Sequence, residues 1–503
     1  MRNRYGLLTL PLLCALIVAS FFVIFPISAE GAVFYVTPGG GNPKAGTSWA
    51  MAFSEAEFSN ALLAAAPGTE FWVAKGRYRP STTDKTKFFP LNPGVEVYGG
   101  FAGAETARGQ RNWKTNITVL TGDLAFDDFV NADGITLQSS SIQGTNSVNV
   151  MNAQVSNAAT VLDGFVITAG DSNTIGGGIL NPLGGVAIRN CSFYGNRASQ
   201  SGGALYMENS TSTVTDCTFS GNTADWGGAI YNDKSASLIQ RCFFESNFAV
   251  LQNGGGIFST NFPAPEVDGC TFFKNKAGDR GGGIHITNNA RVTSSTFIEN
   301  EAADGGGIFA IGSEPEVTNC TFSGNKATVN GGGMQNYWAA TTIVTNCTFS
   351  GNVAAAGGNM YNSDSDPTVT NCIFWGGTGG DIVDDAASVP VVSYCVVQGG
   401  YAAGSNIFTG DPKLAPLAAN GGPTETMALL SGSSALDAGT STGAPSVDQR
   451  GISRPQGAGY DIGAFEVEVG GGGGSGGGCS AGGGSLFALL MILAPLALLR
   501  RRR

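Results

Sequence analysis

A single histidine stands among the 503 residues, and only 13% of the chain is charged. One imidazole leaves little room for histidine-built metal centres or for Ser–His–Asp chemistry. Lysine and arginine number 27 against 38 acidic residues, a formal net charge of −11. That balance argues against nucleic acid or an anionic membrane surface as a partner, since both call for basic patches. What the chain has in excess is glycine, 76 residues, about twice ordinary usage. A 42% hydrophobic fraction is still enough to bury a core.

The glycines belong to a repeat. VTNCTFSGN occurs at 317–325 and again, unchanged, at 344–352. Around it run NCSFYGN (190–196), DCTFSGN (216–222), RCFFESN (241–247), GCTFFKN (269–275), SSTFIEN (294–300) and NCIFWGG (371–377), with YCVVQGG (394–400) a decayed last copy. Steps of 23 to 28 residues suit one turn of a solenoid. Aligned, the copies give columns. Phenylalanine recurs from Phe193 to Phe374, cysteine two residues earlier from Cys191 to Cys372, broken only by Ser295, and asparagine three residues after phenylalanine from Asn196 to Asn352. Apolar positions two apart, interrupted every few residues by Asn or Gly, predict short strands. Stacked at about 4.8 Å, they set Phe on Phe and Asn on Asn. The expected fold is therefore all-β: a single-stranded right-handed parallel β-helix, a solenoid of the pectate-lyase kind. The cysteines, on parallel Cβ vectors, are expected as a buried thiol ladder rather than as disulfides.

The Cys-Thr-Phe-x-x-Asn and Gly-Gly-[Ala/Gly]-Ile pair over 164–400 resembles the repeat of the polymorphic outer membrane protein family of surface β-helices. Residues 31–163 read as an N-terminal cap and first irregular coils, with a capping-box helix starting at Ser54-Glu55-Ala56-Glu57 to cover the first rung. DPKLAPLAANGGPTETMALLSGSSALDAG (411–439) and DQRGISRP…YDIGAFE (448–466) are similar to the choice-of-anchor Q domain. Residues 401–468 are therefore expected as an ion-paired C-terminal cap over the last rung, with Arg450 and Arg454 among Asp437, Asp448, Asp461 and Glu466. That family precedes surface-attachment signals.

The ends carry localisation signals. Arg2 and Arg4, an apolar run from Leu7 to Phe25 and a small-residue exit at Ala29 predict a signal peptide over 1–29, an uncleaved anchor being the alternative. A Gly/Ser-rich linker (469–485) leads to LFALLMILAPLALL (486–499) and Arg500 to Arg503. Linker, short apolar segment and basic tail resemble the Synerg-CTERM and related Gly-rich sorting signals, which implies processing or lipidation at Cys479. The expected location is the bacterial cell surface, outer membrane or exterior. The membrane enters as a partner through the tail and the sorting machinery.

The expected function is structural or adhesive: a rigid rod presented to polysaccharide or surface-protein partners, with no cofactor, metal or nucleic acid indicated. Lyases and glycosidases use the same fold, so a polysaccharide-active enzyme is the alternative. Its weak catalytic candidates are Glu208 and Asp233, which fall at equivalent positions of adjacent rungs, as a retaining carboxylate pair requires. A binding candidate is the column after the Gly-Gly isoleucine: Tyr206, Tyr231, Phe258, His285, Phe309 and Tyr361. If this column faces outward it is an aromatic stripe suited to sugar rings; with the strand phase reversed it is core. No C-terminal run of alternating strands supports an autotransporter barrel.

Overall fold

The computed structural model describes residues 31–153 and 156–468. The expected signal peptide over 1–29 and the expected linker and tail over 469–503, Cys479 included, lie outside the described residues. Among the described residues no helix is long and apolar enough to cross a membrane.

One coil shows how the repeat becomes a turn. Val186–Arg189 is a strand, Asn190 bends the chain with φ 51°, and Ser192–Tyr194 is a second strand. Asn196 and the short strand Arg197–Ala198 follow, then a loop to Gly202-Gly203 and the strand Leu205–Glu208. Each strand pairs in parallel with its equivalents in neighbouring coils, Phe193 opposite Phe219 and Leu205 opposite Ile230. The first two strands of every coil enter one 25-stranded sheet, the short strands after the asparagine (two residues on most coils, longer at Glu301–Asp304 and Lys326–Asn330) a 7-stranded sheet and the strands after Gly-Gly an 11-stranded sheet, so three sheets enclose one core. The all-β right-handed parallel β-helix expected from the columns is the fold.

The bend between the first two strands is left-handed in coil after coil, at Asn190, Asp216, Arg241, Asn319, Asn346 and Asn371. Asparagine tolerates that region better than most residues, which is why it so often opens the motif. Glycine is required at the third corner. Gly227 has φ 62°, and a Cβ there would sit 2.2 Å from Ile230 O. A Cβ on Gly228 would meet Gly255 O of the next coil at 2.5 Å.

Inside, Phe193 to Phe374 form an unbroken stack with centroids 4.3–4.9 Å apart and planes within 10° of parallel. Every ring is fully buried, each worth about 2–3 kcal/mol of apolar burial. Beside it the asparagines form a ladder. Asn247 Nδ2 donates to Asn275 Oδ1 (2.9 Å) and to Phe219 O (2.9 Å), while its own Oδ1 accepts from Asn222. Each amide is thus satisfied at zero exposure, as a buried polar group must be. The cysteines stay free, and Cys395 extends their column by one coil. Each thiol faces a carbonyl of the preceding coil, as Cys242 Sγ does Val214 O at 3.4 Å.

The helix Glu55–Ala64 starts where expected, the Ser54 N–H donating to the Glu57 carboxylate (3.0 Å), and it buries Phe58 and Leu62 against Phe71, Tyr78 and Phe89. The C-terminal segment differs from expectation. Ser405–Phe408 pairs with Val391–Val397 and ends the stack, but the chain beyond it doubles back along the side of the coils as a strap. Thr424 Oγ donates to Ser294 O (2.9 Å), Asn319 Nδ2 to Val447 O (2.8 Å), Asn371 Nδ2 to Thr440 O (2.8 Å) and Ala464 N to Thr348 Oγ (3.0 Å). The strap has little secondary structure of its own, so its backbone needs the Thr hydroxyls and bend amides of the coils. Its expected ion pairs do form. Arg454 meets Glu466 at 2.8 Å with both side chains fully buried, and Arg450 meets Asp448 at 2.8 Å with its guanidinium 3.6 Å over Phe465.

Candidate functional site

The strands after Gly-Gly settle which way the aromatic column points. Ile179, Leu205, Ile230, Ile257, Ile284 and Ile308 are buried in the core, as are Met207, Ser259, Ile286 and Ala310 two residues on. The residues between them therefore leave on the outer side. Tyr206, Tyr231, Phe258, His285 and Phe309 stack there with centroids 4.9–5.3 Å apart and planes within 18°. Gln335 interrupts the column, so Tyr361 stands apart from the stack.

The stripe is outward but is not the sugar platform an outward column suggests. Rings stacked along the axis spend their π faces on one another and turn their edges outward. Exposure is correspondingly low, 9% at Phe258, 3% at His285 and 1% at Phe309. Arg280 closes the far end, its guanidinium 5.0 Å over Phe309 and 5.4 Å over Tyr337. Burial, helped by the Arg280 charge, lowers the His285 pKa to about 3, so its imidazole is neutral at pH 7. It offers neither a metal-ligand set nor a triad.

The stripe opens beside Tyr231 and Phe258. Ser201, Trp226, Tyr231, Phe258, Thr260 and Asn261 line a cleft of about 250 Å³. Trp226, half-buried, lines this cleft and stacks on no other ring among the described residues. Burial and the charge of Asp233 push the Tyr231 hydroxyl up to about 12, keeping it a proton donor. The carboxylate candidates share the row of Thr260: Glu208 and Asp233 are direct partners on adjacent coils, and Thr260 follows on the next, though of the three only Thr260 lines the cleft. Both carboxylates are already engaged. Tyr206 donates to Glu208 Oε2 (3.0 Å), Asn261 Nδ2 donates to Asp233 Oδ1 (2.7 Å), and Lys234 lies 3.9 Å from Asp233.

A larger cleft, about 500 Å³, lies against the two-residue strands, where Lys85, Asn146, Asp171, Arg197, Thr223 and Asp225 contribute to its lining. No aromatic ring lines it. Arg197 is held by Asp171 through two 2.7 Å hydrogen bonds, and burial raises the Asp225 carboxyl above its usual range.

The coil geometry has a counterpart in a family model for right-handed β-helix regions, which matches residues 128–301 and 279–415, more than half of the sequence. The chain belongs to the right-handed β-helix family. No curated protein matches it. Among solved structures it is similar to the complex of XylC with xylose, at 9% identity and a TM-score of 0.42 over 86% of this chain and 98% of that one. It is also similar to PfbA, a surface adhesin of Streptococcus pneumoniae, at 10% identity and a TM-score of 0.32 over 75% and 95% of the two chains. A third is the A-module of the Azotobacter vinelandii mannuronan C-5 epimerase AlgE4, at 11% identity and a TM-score of 0.27 over 67% and 92%.

In this right-handed β-helix the structure brings together Tyr206, Tyr231, Phe258, Glu208 and Asp233, separates Tyr361, and closes off His285 and Phe309 under Arg280. Trp226 is the residue that column reading misses. It precedes Gly227-Gly228, outside any strand, and a tryptophan where the neighbouring copies carry Ser201 and Asn253 is the signal that could have found it.

Proposed function

We propose that this protein is an exported, cell-surface β-helix that binds polysaccharide at the cleft formed by Trp226, Tyr231 and Phe258. The observation that carries the reading is the partly exposed Trp226 ring, unstacked among the described residues, lining one cleft with a phenol and the polar side chains of Ser201, Thr260 and Asn261. An aromatic face takes up the apolar face of a sugar while hydroxyls and an amide fix its orientation. At about 250 Å³ the cleft suits a single unit of a longer chain. The surface location rests on the signal-peptide pattern of 1–29 and on the sorting-type tail with Cys479. The enzyme reading is weaker, because Glu208 and Asp233 are each committed to a neighbour.

The test is binding of the purified chain to a polysaccharide panel, with new reducing ends and unsaturated products measured in the same wells. Binding without cleavage that falls at least tenfold in Trp226→Ala supports the reading. Binding indifferent to Trp226, or no binding at all, overturns it. Cleavage lost in Glu208→Gln or Asp233→Asn establishes the enzyme instead.

A further inference from the structure

We propose that Asp123, Asp127, Asp128 and the side-chain carbonyl of Asn146 form a calcium site in the loop that follows the strand Thr118–Thr121. One carboxylate oxygen from each aspartate lies within 4.8 Å of the others. Asp123 is completely buried and Asp128 nearly so. Among the described residues the cluster's one ion-pair partner is Arg77, 3.3 Å from Asp123 Oδ2. Arg79 is nearby, but its charge is taken by Glu55 at 3.2 Å. Three carboxylates stand against one guanidinium: Asp127 is exposed, Asp123 also accepts from Asp127 N and Asp128 N, and Asp128 accepts from Thr136 Oγ, Gln143 N and Asn146 Nδ2, so the buried pair is hydrogen-bonded but only one of its two charges has a counter-ion.

An independent observation comes from Asn146, which is 5% exposed. It stands opposite Asp123 in an antiparallel bridge, so the two side chains leave on the same side. Its Nδ2 donates to Asp128 Oδ2 (3.0 Å) and to Ala169 O (2.9 Å), while its Oδ1 has no partner. The amide does not profit from being turned round, since that would set oxygen against oxygen at both contacts. A buried carbonyl without a donor costs about 1–3 kcal/mol, and here it adjoins surplus carboxylate charge. A hard divalent cation resolves both at once. The all-oxygen donor set on an irregular loop fits Ca²⁺, which accepts six to eight oxygens in flexible geometry, better than the octahedral demands of Mg²⁺.

The site has a structural consequence. Gly144, Thr145 and Asn146 line the larger cleft, and Asp127 lies so close to Gly144 that a Cβ there would be 2.2 Å from its Oδ2. A bound ion therefore fixes one wall of that cleft.

The test is calorimetric titration of the chelator-stripped full chain with Ca²⁺ and then Mg²⁺, with hydrogen exchange of residues 123–147 followed in parallel. The expected result is one Ca²⁺ per chain, slower exchange in that loop, and affinity at least tenfold lower in Asp127→Asn. Asp127 is exposed and its carboxylate accepts no hydrogen bond from the described residues, so this variant keeps its fold in chelator. Asp133→Asn, an exposed acid of the same loop outside the cluster, binds as the wild type does. No Ca²⁺ binding, binding unchanged in Asp127→Asn, or protection elsewhere in the chain overturns the site. Mg²⁺ bound as tightly as Ca²⁺ overturns the calcium assignment.

Discussion

Two outward ladders on the same coils meet opposite fates. The residue before each phenylalanine is Ser192, Thr218, Phe243 and Thr271 on the earlier coils, where it is half-buried, and Thr296, Thr321, Thr348 and Ile373 on the later ones, where the strap seals it. The aromatic ladder Tyr206 to Phe309 has no strap. It covers itself by stacking and opens only at Trp226. The inward columns barely change between these regions, so closure and binding are written in the outward ones. The bend residue makes the point. Asn319, Asn346 and Asn371 donate to strap carbonyls, whereas Asp216 and Arg241 on the earlier coils pair with each other at 2.8 Å. A strap laid over that pair would have to bury both charges, which is costly without ideal geometry.

The largest break of this contrast is Arg454→Met. It leaves the Glu466 carboxylate buried without its cation, a loss of about 3–5 kcal/mol. The expected outcome is a strap cut by protease at low concentration while residues up to about 410 stay resistant, with the aromatic ladder intact. A single melting transition, shifted down for the whole chain, would show instead that strap and coils are one cooperative unit.

A smaller effect separates the ladders by pH. Folded His285 has a pKa of about 3 against 6.5 ordinarily. Unfolding therefore takes up a proton below pH 6.5: the contribution of this residue to stability is full above that value and is lost as the pH falls toward 3. At about pH 4.5 the loss is roughly 2–3 kcal/mol. His285→Phe keeps the ring stack and removes the titration, so it is expected to gain on the wild type at about pH 4.5 and much less at about pH 8. Thermal melts at the two values check this, and parallel acid losses in the two proteins would refute the burial argument.

The inward columns were legible because stacking identical residues is itself periodic, and Phe193 to Phe374 or Asn196 to Asn352 can arise in few other ways. The phase of the strands after Gly-Gly was not, since Ile230 inside and Tyr231 outside are both apolar enough for a core. The ion pairs of the strap could be named from sequence, but not its position, because it has no period and bonds to the coils through backbone groups. Only the run of bend asparagines Asn319, Asn346 and Asn371 follows its footprint, and Asn190, which donates instead to Asp163 on an early coil, shows that the residue type alone is not the mark. The Asp123–Asp128 cluster lies in a loop outside the repeat, where no column could align it, and Trp226 stands at a position before Gly-Gly whose residue changes from copy to copy.

The smallest effect gives the sharpest comparison, because one substitution can be made at one repeat position on a sealed and on an open coil. Thr321 Oγ donates to Gln449 Oε1 at 2.7 Å beneath the strap. Thr321→Val keeps the shape and β-propensity but strands that amide oxygen, which costs about 1 kcal/mol. Thr218→Val makes the same change on a half-exposed coil where no strap segment waits for the hydroxyl, and surface changes of this kind stay within about 0.5 kcal/mol. Denaturant melts of both variants measure the difference directly. If Thr218→Val cost as much as Thr321→Val, the hydroxyl would be serving the coil itself, and the division between sealed and open ladders would lose its energetic meaning.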